Sequence, residues 1–408
     1  MNTTNLRVLP ACLLAAFSGS AAAAGFQLWE QNASGIATSF AGSAAVADNA
    51  GTIYYNPAGL ALLPGLNVSL GVAGNRSSYE FRNQGSSGTG ALAGLSGGNG
   101  GDAGQWTTVP NGAVSWQVAP QWFVGLGIST PFGLSTEYED SAWVGRFNAR
   151  KADIQTVNVN PSVAYKLSDR VSLGFGINYQ KIDVELTRAD TTGLNRFKGD
   201  DSAWGWNAGA LFTLSPAMRV GVSYRSAIDY SVDGSRSLGA GSTAATADLK
   251  LPGVFILSVW QQVSDRWEAM GDLSYTDWSN LGRVNVRFAG GSESTALNFR
   301  SAWRFAWGAA YKADDAWKIK FGISYDRSAV PDGDRSAWLP DNNRIGLSLG
   351  GQWKPSRTSA VDFGYAYLWQ KNPTINQTSV DSTGATANLR GRYDAAGHLL
   401  GIQYSQGF

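Results

Sequence analysis

The chain contains one cysteine, Cys12, and one histidine, His398, among its 408 residues. It therefore has no His-rich or Cys-rich cluster of the kind that binds zinc, and no cysteine–histidine pair. Beyond residue 24 no segment approaches the roughly 18 continuous apolar residues of a membrane-spanning helix. These absences exclude a helical membrane protein, and we expect neither enzymatic activity nor a cofactor.

Charge of either sign is also scarce, because charged residues make up 15% of the chain and the formal net charge is +1. A nucleic-acid partner favours a clear basic surplus, so none is expected. Glycine and aromatic residues are abundant instead, with 50 Gly, 16 Trp, 15 Tyr and 17 Phe. Together with an export signal, this composition indicates an outer-membrane β-barrel. A secreted soluble β-sandwich or β-helix is the alternative.

Residues 1–23 have the pattern of a signal peptide. Arg7 precedes a short apolar run from Val8 to Phe17, and small residues follow. Cleavage is expected after Ala23. Cys12 could also be interpreted as a lipoprotein cysteine, but hardly any apolar run precedes it. The mature chain then has no cysteine, so disulfides cannot stabilise it.

Alternation of apolar with polar or small residues predicts strands along most of the chain. It is clear in 218–225, 317–326 and 361–369, and successive strand residues point to opposite faces. Tyrosine and tryptophan recur at the strand ends, as in barrels whose apolar face meets lipid and whose aromatic residues lie at the two interfaces. This pattern favours a transmembrane barrel over a soluble sandwich.

The connections alternate between short and long, and this alternation sets the strand number. Six short turns and seven long loops predict an all-β fold, a 14-stranded antiparallel transmembrane β-barrel over residues 66–408. The first strand, Leu66 to Phe81, is expected to rise from the periplasm, where barrel turns are short. The long loops are predicted near 82–105, 135–151, 189–201, 233–248, 289–297, 328–343 and 372–390.

Residues 24–65 show no strand period. They include AGTIYYNPAGLALLPG at positions 50–65, which is rich in small residues that permit close backbone contact. A barrel of fourteen strands is too wide for its own side chains to fill. We expect this segment to fold back as a plug, or hatch, inside the lumen. The alternative is a disordered periplasmic linker, for which the segment is too apolar.

Several stretches resemble the FadL-type outer-membrane transporters of long-chain fatty acids and other hydrophobic compounds. They are AGFQLWEQNASGIATSFAGSAAVADNAGTIYYNPAGL (24–60), STPFGLSTEY (129–138), FRSAWRFAWGAAY (299–311) and SAVPDGDRSAWLPDNNRIGLSLG (328–350). The resemblance implies passive uptake across the Gram-negative outer membrane through a 14-stranded barrel with an N-terminal hatch. Its Asn-Pro-Ala is matched by Asn56, Pro57 and Ala58.

The resemblance implies a long-chain fatty acid as ligand, and aromatic hydrocarbons or alkanes are the alternative. We also expect the protein to contact outer-membrane lipid and lipopolysaccharide. We expect it to be a monomer. A structural or adhesin barrel is the rival class, against which the hatch argues. An adhesin barrel would act through its long external loops rather than through its lumen.

One strand exchanges the character of its faces above Tyr179. Below it, apolar residues face lipid, whereas above it the apolar residues are on the inward face and Arg188 continues that face. This indicates an apolar cavity with a few polar groups.

Trp303, Phe305 and Trp307 are expected to face lipid, so the same alternation puts Arg300 on the inward face. The resemblance places Arg188, and less directly Arg300, at the fatty acid head group, and an arginine fork suits a carboxylate. The resemblance also matches Phe26 to the family's aromatic residue at the start of the hatch, which contacts the ligand. The candidate ligand-binding residues are thus Phe26, Ile182, Val184, Leu186, Arg188 and Arg300.

Other inward charges are expected to hold the plug or the wall rather than a ligand, and the same structural role is the alternative for Arg188 and Arg300. They are Arg219, Arg225, Arg304, Glu268, Asp272 and Asp362. Glu268 and Asp272 are not a catalytic pair, because residues i and i+4 of a strand lie about 13 Å apart.

Thr130-Pro131-Phe132-Gly133 ends the third strand with a predicted kink. Pro131 cannot donate to the ladder, and Gly133 marks a bulge or bend. Unpaired backbone in hydrocarbon costs several kcal/mol per group, so another segment must cover it, and the hatch is the candidate. We therefore predict a lateral opening near Pro131 and Gly133. The alternative is that Pro131 merely ends the strand at the outer rim.

Overall fold

The computed structural model of the chain describes residues 25–408. The predicted signal peptide, residues 1–23, lies outside the described residues, and so does Cys12. Across residues 25–408 no helix is long and apolar enough to cross a bilayer.

Strands dominate the described part of the chain, and the helices are short. The strands are β1 (Leu66–Asn83), β2 (Ser87–Gly88), β3 (Trp106–Ala119), β4 (Trp122–Ser129), β5 (Gly133–Glu137), β6 (Lys151–Lys166), β7 (Val171–Asp190), β8 (Gly193–Ser215), β9 (Met218–Arg225), β10 (Ile228–Leu238), β11 (Gly241–Leu251), β12 (Val254–Gln262), β13 (Trp267–Thr276), β14 (Arg283–Phe288), β15 (Gly291–Ala296), β16 (Ala302–Lys312), β17 (Trp317–Asp326), β18 (Arg344–Trp353), β19 (Ser359–Gln370), β20 (Thr374–Val380) and β21 (Thr386–Gly407). The helices are α1 (Thr52–Tyr55) and the 3₁₀ helices Ala33–Thr38, Pro57–Leu62, Gly90–Leu92 and Trp278–Asn280.

These strands form one closed antiparallel barrel of fourteen, as the alternation of connections predicts. Six wall strands are interrupted, so that each of them comprises two segments: β4 and β5, β9 and β10, β11 and β12, β13 and β14, β15 and β16, and β19 and β20. β1 pairs with β3 on one side and with β21 on the other. The pairing of β1 with β21 closes the barrel.

The two faces of each wall strand differ as a membrane barrel requires. On β17, Ile319, Ile323 and Tyr325 are exposed on the outside, whereas Lys320 and Ser324 are buried inside. Exposed tryptophans surround the outer face: Trp116, Trp122, Trp204, Trp206, Trp267, Trp303, Trp307, Trp317, Trp353 and Trp369. An apolar outer surface with aromatic residues is the surface that lipid covers.

Four of the predicted long loops are largely strands instead. Residues 189–201, 233–248, 289–297 and 372–390 form parts of hairpins, in which Asp190 pairs with Gly193, Leu238 with Gly241, Phe288 with Gly291, and Val380 with Thr386. The loop prediction fails there because both faces of these hairpins carry many polar residues and glycines. The apolar-to-polar alternation that marks a strand inside the membrane is therefore lost.

The N-terminal segment, residues 25–65, lies inside the barrel, and most of its residues are buried. Its first 3₁₀ helix lies against β18, β19 and β21, and Pro57–Leu62 lies against β6, β7 and β8. Three charged side chains of the wall bind its backbone. Arg304 Nη2 donates to Ser39 O (2.6 Å), Asp272 Oδ1 accepts from Gly42 N (2.7 Å), and Arg225 Nη2 donates to Tyr54 O (2.9 Å).

Glycines of the wall allow this segment to lie directly on the strand backbone. A Cβ added at Gly221 would lie 1.9 Å from Ala44 O, and one at Gly174 would lie 2.2 Å from Ala58 N. Both distances are far inside van der Waals contact. Only glycine at these positions therefore permits the observed packing.

We expect Gly221→Val to lift the N-terminal segment from the wall while the barrel still assembles, because the overpacked contact is with the segment and not with neighbouring strands. Single-channel conductance in planar bilayers should rise, and a change in SDS-gel mobility on heating should show that the barrel is folded. Gly271→Val is the control, since the nearest atom to its added Cβ is Ala306 O at 3.6 Å. An assembled Gly221→Val protein with unchanged conductance would contradict this account.

Candidate functional site

An apolar cavity of about 130 Å³ lies in the barrel on the outer side of the N-terminal segment. Its walls come from β5, β6, β7, β8, β10, β11, β14 and β15 and from the loop that follows β17. Its lining is mainly aliphatic and aromatic, and includes Leu134, Ile154, Phe197, Leu249, Phe299 and Leu339. This composition is that of a site for an apolar molecule.

Phe26 forms part of the boundary between the cavity and the N-terminal segment. Its ring centroid lies 4.9 Å from that of Trp278 and 6.1 Å from that of Phe132, in edge-on arrangements. Trp278 is fully buried. The aromatic cluster therefore connects the cavity to the third wall strand, which comprises β4 and β5 and carries Phe132 between them.

β7 exchanges faces as its sequence predicts. Tyr179 is exposed on the outside, whereas Ile182 and Val184 are buried inside. Val184, Leu186 and Arg188 line the cavity together with Phe26. Ile182 is in the same buried cluster but is not among the lining residues.

The polar end of the cavity contains two arginines that contact one carboxylate. Arg188 Nη2 lies 3.3 Å from Glu293 Oε2, and Arg236 Nε lies 2.7 Å from Glu293 Oε1. Arg236 Nη2 also donates to Glu293 Oε1, and Asn195 Nδ2 lies 3.1 Å from each carboxylate oxygen. The guanidinium of Arg236 additionally stacks on the ring of Phe288, 4.4 Å from its centroid. This end of the cavity is therefore a carboxylate-binding arrangement.

Sequence reasoning missed Arg236, Asn195 and Glu293 because it assigned their segments to loops. A usable signal was present in β14, where Val284, Val286 and Phe288 alternate with polar residues. Such alternation next to a two-residue turn predicts a hairpin.

Arg300 is not brought to this site. It is exposed, its backbone N–H donates to Ala329 O at 2.9 Å, and its Nε lies 3.5 Å from Ser328 O. Its inward placement was extrapolated from the alternation of β16. That strand begins only at Ala302, so the alternation does not extend to residue 300.

Asn56, Pro57 and Ala58 lie at the wall near the other end of the N-terminal segment. Asn56 is fully buried, and its Nδ2 donates to Ala44 O (2.8 Å) and to Ala210 O of β8 (3.1 Å). Ala58 O accepts a hydrogen bond from Ser172 Oγ of β7 (3.0 Å). Pro57 begins the 3₁₀ helix Pro57–Leu62, where its missing N–H costs nothing.

The third wall strand is broken between Ser129 and Gly133, and it resumes as β5 beside β6. Pro131 therefore does not end the strand at the outer rim. The N-terminal segment supplies partners at the break: Leu28 N donates to Pro131 O (2.9 Å), Gly133 N donates to Phe26 O (2.8 Å), Thr130 N donates to Gln31 Oε1 (2.8 Å), and Gln31 Nε2 donates to Thr130 O (2.7 Å). Thr156 Oγ1 accepts a hydrogen bond from Phe132 N and donates one to Phe132 O.

The same break separates two wall strands. β3 and β4 pair as far as Gly112 with Ile128, and the chain pairs again where Gly104 meets Thr136. Between these points, in the described residues, no strand pairing joins 105–111 to 129–135. We call this gap in the pairing, between residues 105–111 and 129–135, the window. Exposed Trp106 and Ile128 lie near its two ends. Side chains of the outer face of the wall therefore flank this gap in the strand pairing.

A separate cluster of buried aromatic residues covers the outer end of the barrel. Tyr138 donates to Ala337 O (2.8 Å), and its hydroxyl lies 2.7 Å from that of Tyr393. Burial, with a smaller contribution from Tyr393, raises the pKa of Tyr138 well above its usual value. The two hydroxyls therefore stay neutral and hold the loop 328–343 over the barrel.

No group of three or more His, Cys, Asp or Glu residues within 25–408 could hold a metal ion. His398 is exposed on the outer face of β21, where its Nδ1 lies 2.9 Å from Tyr365 Oη.

An apolar outer surface with aromatic residues and a closed wall of antiparallel strands define an outer-membrane β-barrel. The chain belongs to the family of outer membrane transport proteins described as OMPP1/FadL/TodX, whose sequence model it matches over residues 14–408. It is thus a multi-pass barrel of the outer membrane, in a family of transporters for hydrophobic compounds.

Individual relatives agree with this assignment. The chain is 31% identical to outer membrane protein P1 of Haemophilus influenzae, over 100% of both chains. It is 30% identical to a long-chain fatty acid transport protein of Escherichia coli, over 88% of this chain and 90% of the relative. The crystal structure of a FadL homologue from Pseudomonas aeruginosa has a TM-score of 0.86 at 21% identity, over 94% of this chain and 100% of that one.

Proposed function

We propose that this protein takes up long-chain fatty acids by passive diffusion. The observation that carries the proposal is an apolar cavity lined at one end by Arg188 and Glu293, with Arg236 bound to Glu293 beside them. The acyl chain lies against Phe26, Val184 and Leu186, with Ile182 packed behind them, and Arg188 binds the carboxylate. The similarity to a relative named as a long-chain fatty acid transport protein supports the same ligand class.

A second candidate is uptake of aromatic hydrocarbons or alkanes. The lining of the cavity is largely apolar, and its volume of about 130 Å³ is close to that of an engineered cavity, about 150 Å³, that binds benzene. The two candidates also differ in what they require at the polar end of the cavity. A hydrocarbon needs no arginine, whereas a fatty acid binds through its carboxylate.

We assign residues 24–65 the role of a hatch that closes the lumen to ions and solutes. The fully buried Asn56, with Pro57 and Ala58, fixes its base to β7 and β8. Wall glycines and the charged residues Arg304, Asp272 and Arg225 fix the remainder. Closure follows because buried backbone in close contact leaves little room for water.

The ligand leaves sideways, through the window beside Pro131 and Gly133. Support comes from Phe26, which lines the cavity and whose carbonyl accepts from Gly133 N, and from Leu28 N, which donates to Pro131 O two residues further on. Displacing this short part of the N-terminal segment opens the boundary of the cavity and the break in the wall together. An apolar ligand gains nothing from periplasmic water, whereas it keeps an apolar environment when it moves into lipid.

Replacing Arg188 by Leu should weaken palmitate or oleate binding by about 1.5–3 kcal/mol, the scale of a hydrogen bond to a charged group. Binding of a matched alkane should change little, as measured by titration of the purified protein in detergent. Arg196→Leu is the control, because Arg196 pairs with Glu185 rather than with Glu293. Equal losses for acid and alkane would assign Arg188 a structural role and favour the hydrocarbon candidate.

Deletion of residues 25–58 should raise single-channel conductance in planar bilayers, because the segment fills the lumen. The deletion removes Asn56, Pro57 and Ala58 but keeps every wall strand. Folding is checked by heat-modifiable gel mobility. A deleted protein that assembles and conducts no more than the intact one would rule out the hatch.

Bulky charge in the window should slow fatty acid uptake by cells. Gly127→Arg and Gly133→Arg each place a long side chain beside the break, where a Cβ at Gly127 already lies 2.8 Å from Ile53. Gly397→Arg is the control on β21, which does not itself border the break, and the nearest neighbour of its added Cβ is Leu368 at 3.4 Å. Normal uptake by both window variants, in assembled protein, would favour an axial route through the hatch.

A further inference from the structure

We propose that Glu293 is a built-in competitor for the ligand carboxylate, and that Arg236 is the second arginine of the head-group site. A ligand carboxylate binds by displacing Glu293 from Arg188, Arg236 and Asn195. This inference rests on the proposed function, because it requires a ligand that carries a carboxylate.

The side chain of Glu293 occupies the position that a ligand head group would take. Its Oε1 accepts from Arg236 and Asn195, and its Oε2 accepts from Arg188 and Asn195. The donors at this end of the cavity are therefore already directed at a carboxylate, and this one belongs to the protein. A second carboxylate can gain the same hydrogen bonds only by replacing it.

The charges favour exchange over simultaneous binding. Arg188 and Arg236 carry two positive charges against the single negative charge of Glu293. A ligand carboxylate beside Glu293 would face a like charge at short range. Replacement retains one anion on two cations, and it releases the Glu293 side chain, which is 31% exposed, towards water.

Glu293 is carried by the hairpin β14–β15, which forms one wall of the cavity through Val284, Val286 and Thr295. β14 pairs with β11 at only three positions, Ala245 to Ala247. Among the described strands, β15 pairs with β14 alone. An ion pair of Arg287 with Asp248 is a further tie. Loss of the Glu293 contacts therefore loosens the wall beside the bound head group, so exchange and opening of the cavity are coupled.

The test compares two probes of equal chain length, oleate and oleyl alcohol, on purified full-length protein. Glu293→Gln removes the competing charge and keeps the shape, so oleate should bind about tenfold more tightly, equivalent to about 1.4 kcal/mol, with oleyl alcohol unchanged. Arg236→Leu should weaken oleate about tenfold or more and leave oleyl alcohol unchanged. Glu185→Gln is the matched control, because Glu185 pairs with Arg196 and Lys151 and does not line the cavity.

The outcomes separate this inference from the proposed function. If the unmodified protein prefers oleate to the alcohol and Glu293→Gln does not strengthen oleate binding, the competitor is wrong and fatty acid uptake stands. If the unmodified protein and Glu293→Gln both bind acid and alcohol alike, both proposals are wrong. Oleate binding that becomes tighter in Glu293→Gln but not in the control Glu185→Gln supports the role of Glu293 as a competitor. Should Glu293→Gln and Glu293→Ala both fail to give a heat-modifiable barrel, Glu293 is a structural residue and the inference is overturned.

Discussion

The hydrogen bonds between residues 26–31 and the broken third strand are the interaction on which the rest of this structure depends. A proline and a bend leave backbone groups at 130–133 without strand partners, and hydrocarbon offers none. The N-terminal segment supplies most of them, and Thr156 supplies the rest. Wall and interior are therefore one hydrogen-bonded unit at this point. One of the residues that complete the wall, Phe26, also lines the apolar cavity.

Inside the barrel, charge is placed where backbone groups would otherwise lack partners. Asp272 accepts from the backbone of Gly42 and Ser43, while Arg304 and Arg225 donate to carbonyls of the same segment. Each charge is thus matched to a local surplus of donors or acceptors. The group of Arg188, Arg236 and Glu293 differs, because its carboxylate comes from a hairpin side chain beside an apolar cavity. That difference separates a candidate ligand site from structural anchoring.

Alternation along the chain was sufficient to predict the barrel and its fourteen strands, since one face of each strand meets lipid over its membrane-spanning length. It failed beyond the outer aromatic residues, where the environments of the two faces change. For this reason the hairpins that carry Arg236 and Glu293 were predicted as loops. Alternation also misplaced Arg300, because it was extended beyond the start of β16. The apolar cavity was partly predictable, since β7 continues as a strand through the exchange of faces at Tyr179.

The closing seam of the barrel has a consequence for assembly. β1 directly follows the N-terminal segment, and it pairs along most of its length with β21, the last strand. Gln403 of β21 also accepts hydrogen bonds from Ala33 and Ser34 of that segment. The strand that closes the barrel is thus also a strand that holds the segment. We therefore expect the pairing of the first wall strand with the last and the enclosure of the segment to be coupled during assembly, because β21 takes part in both.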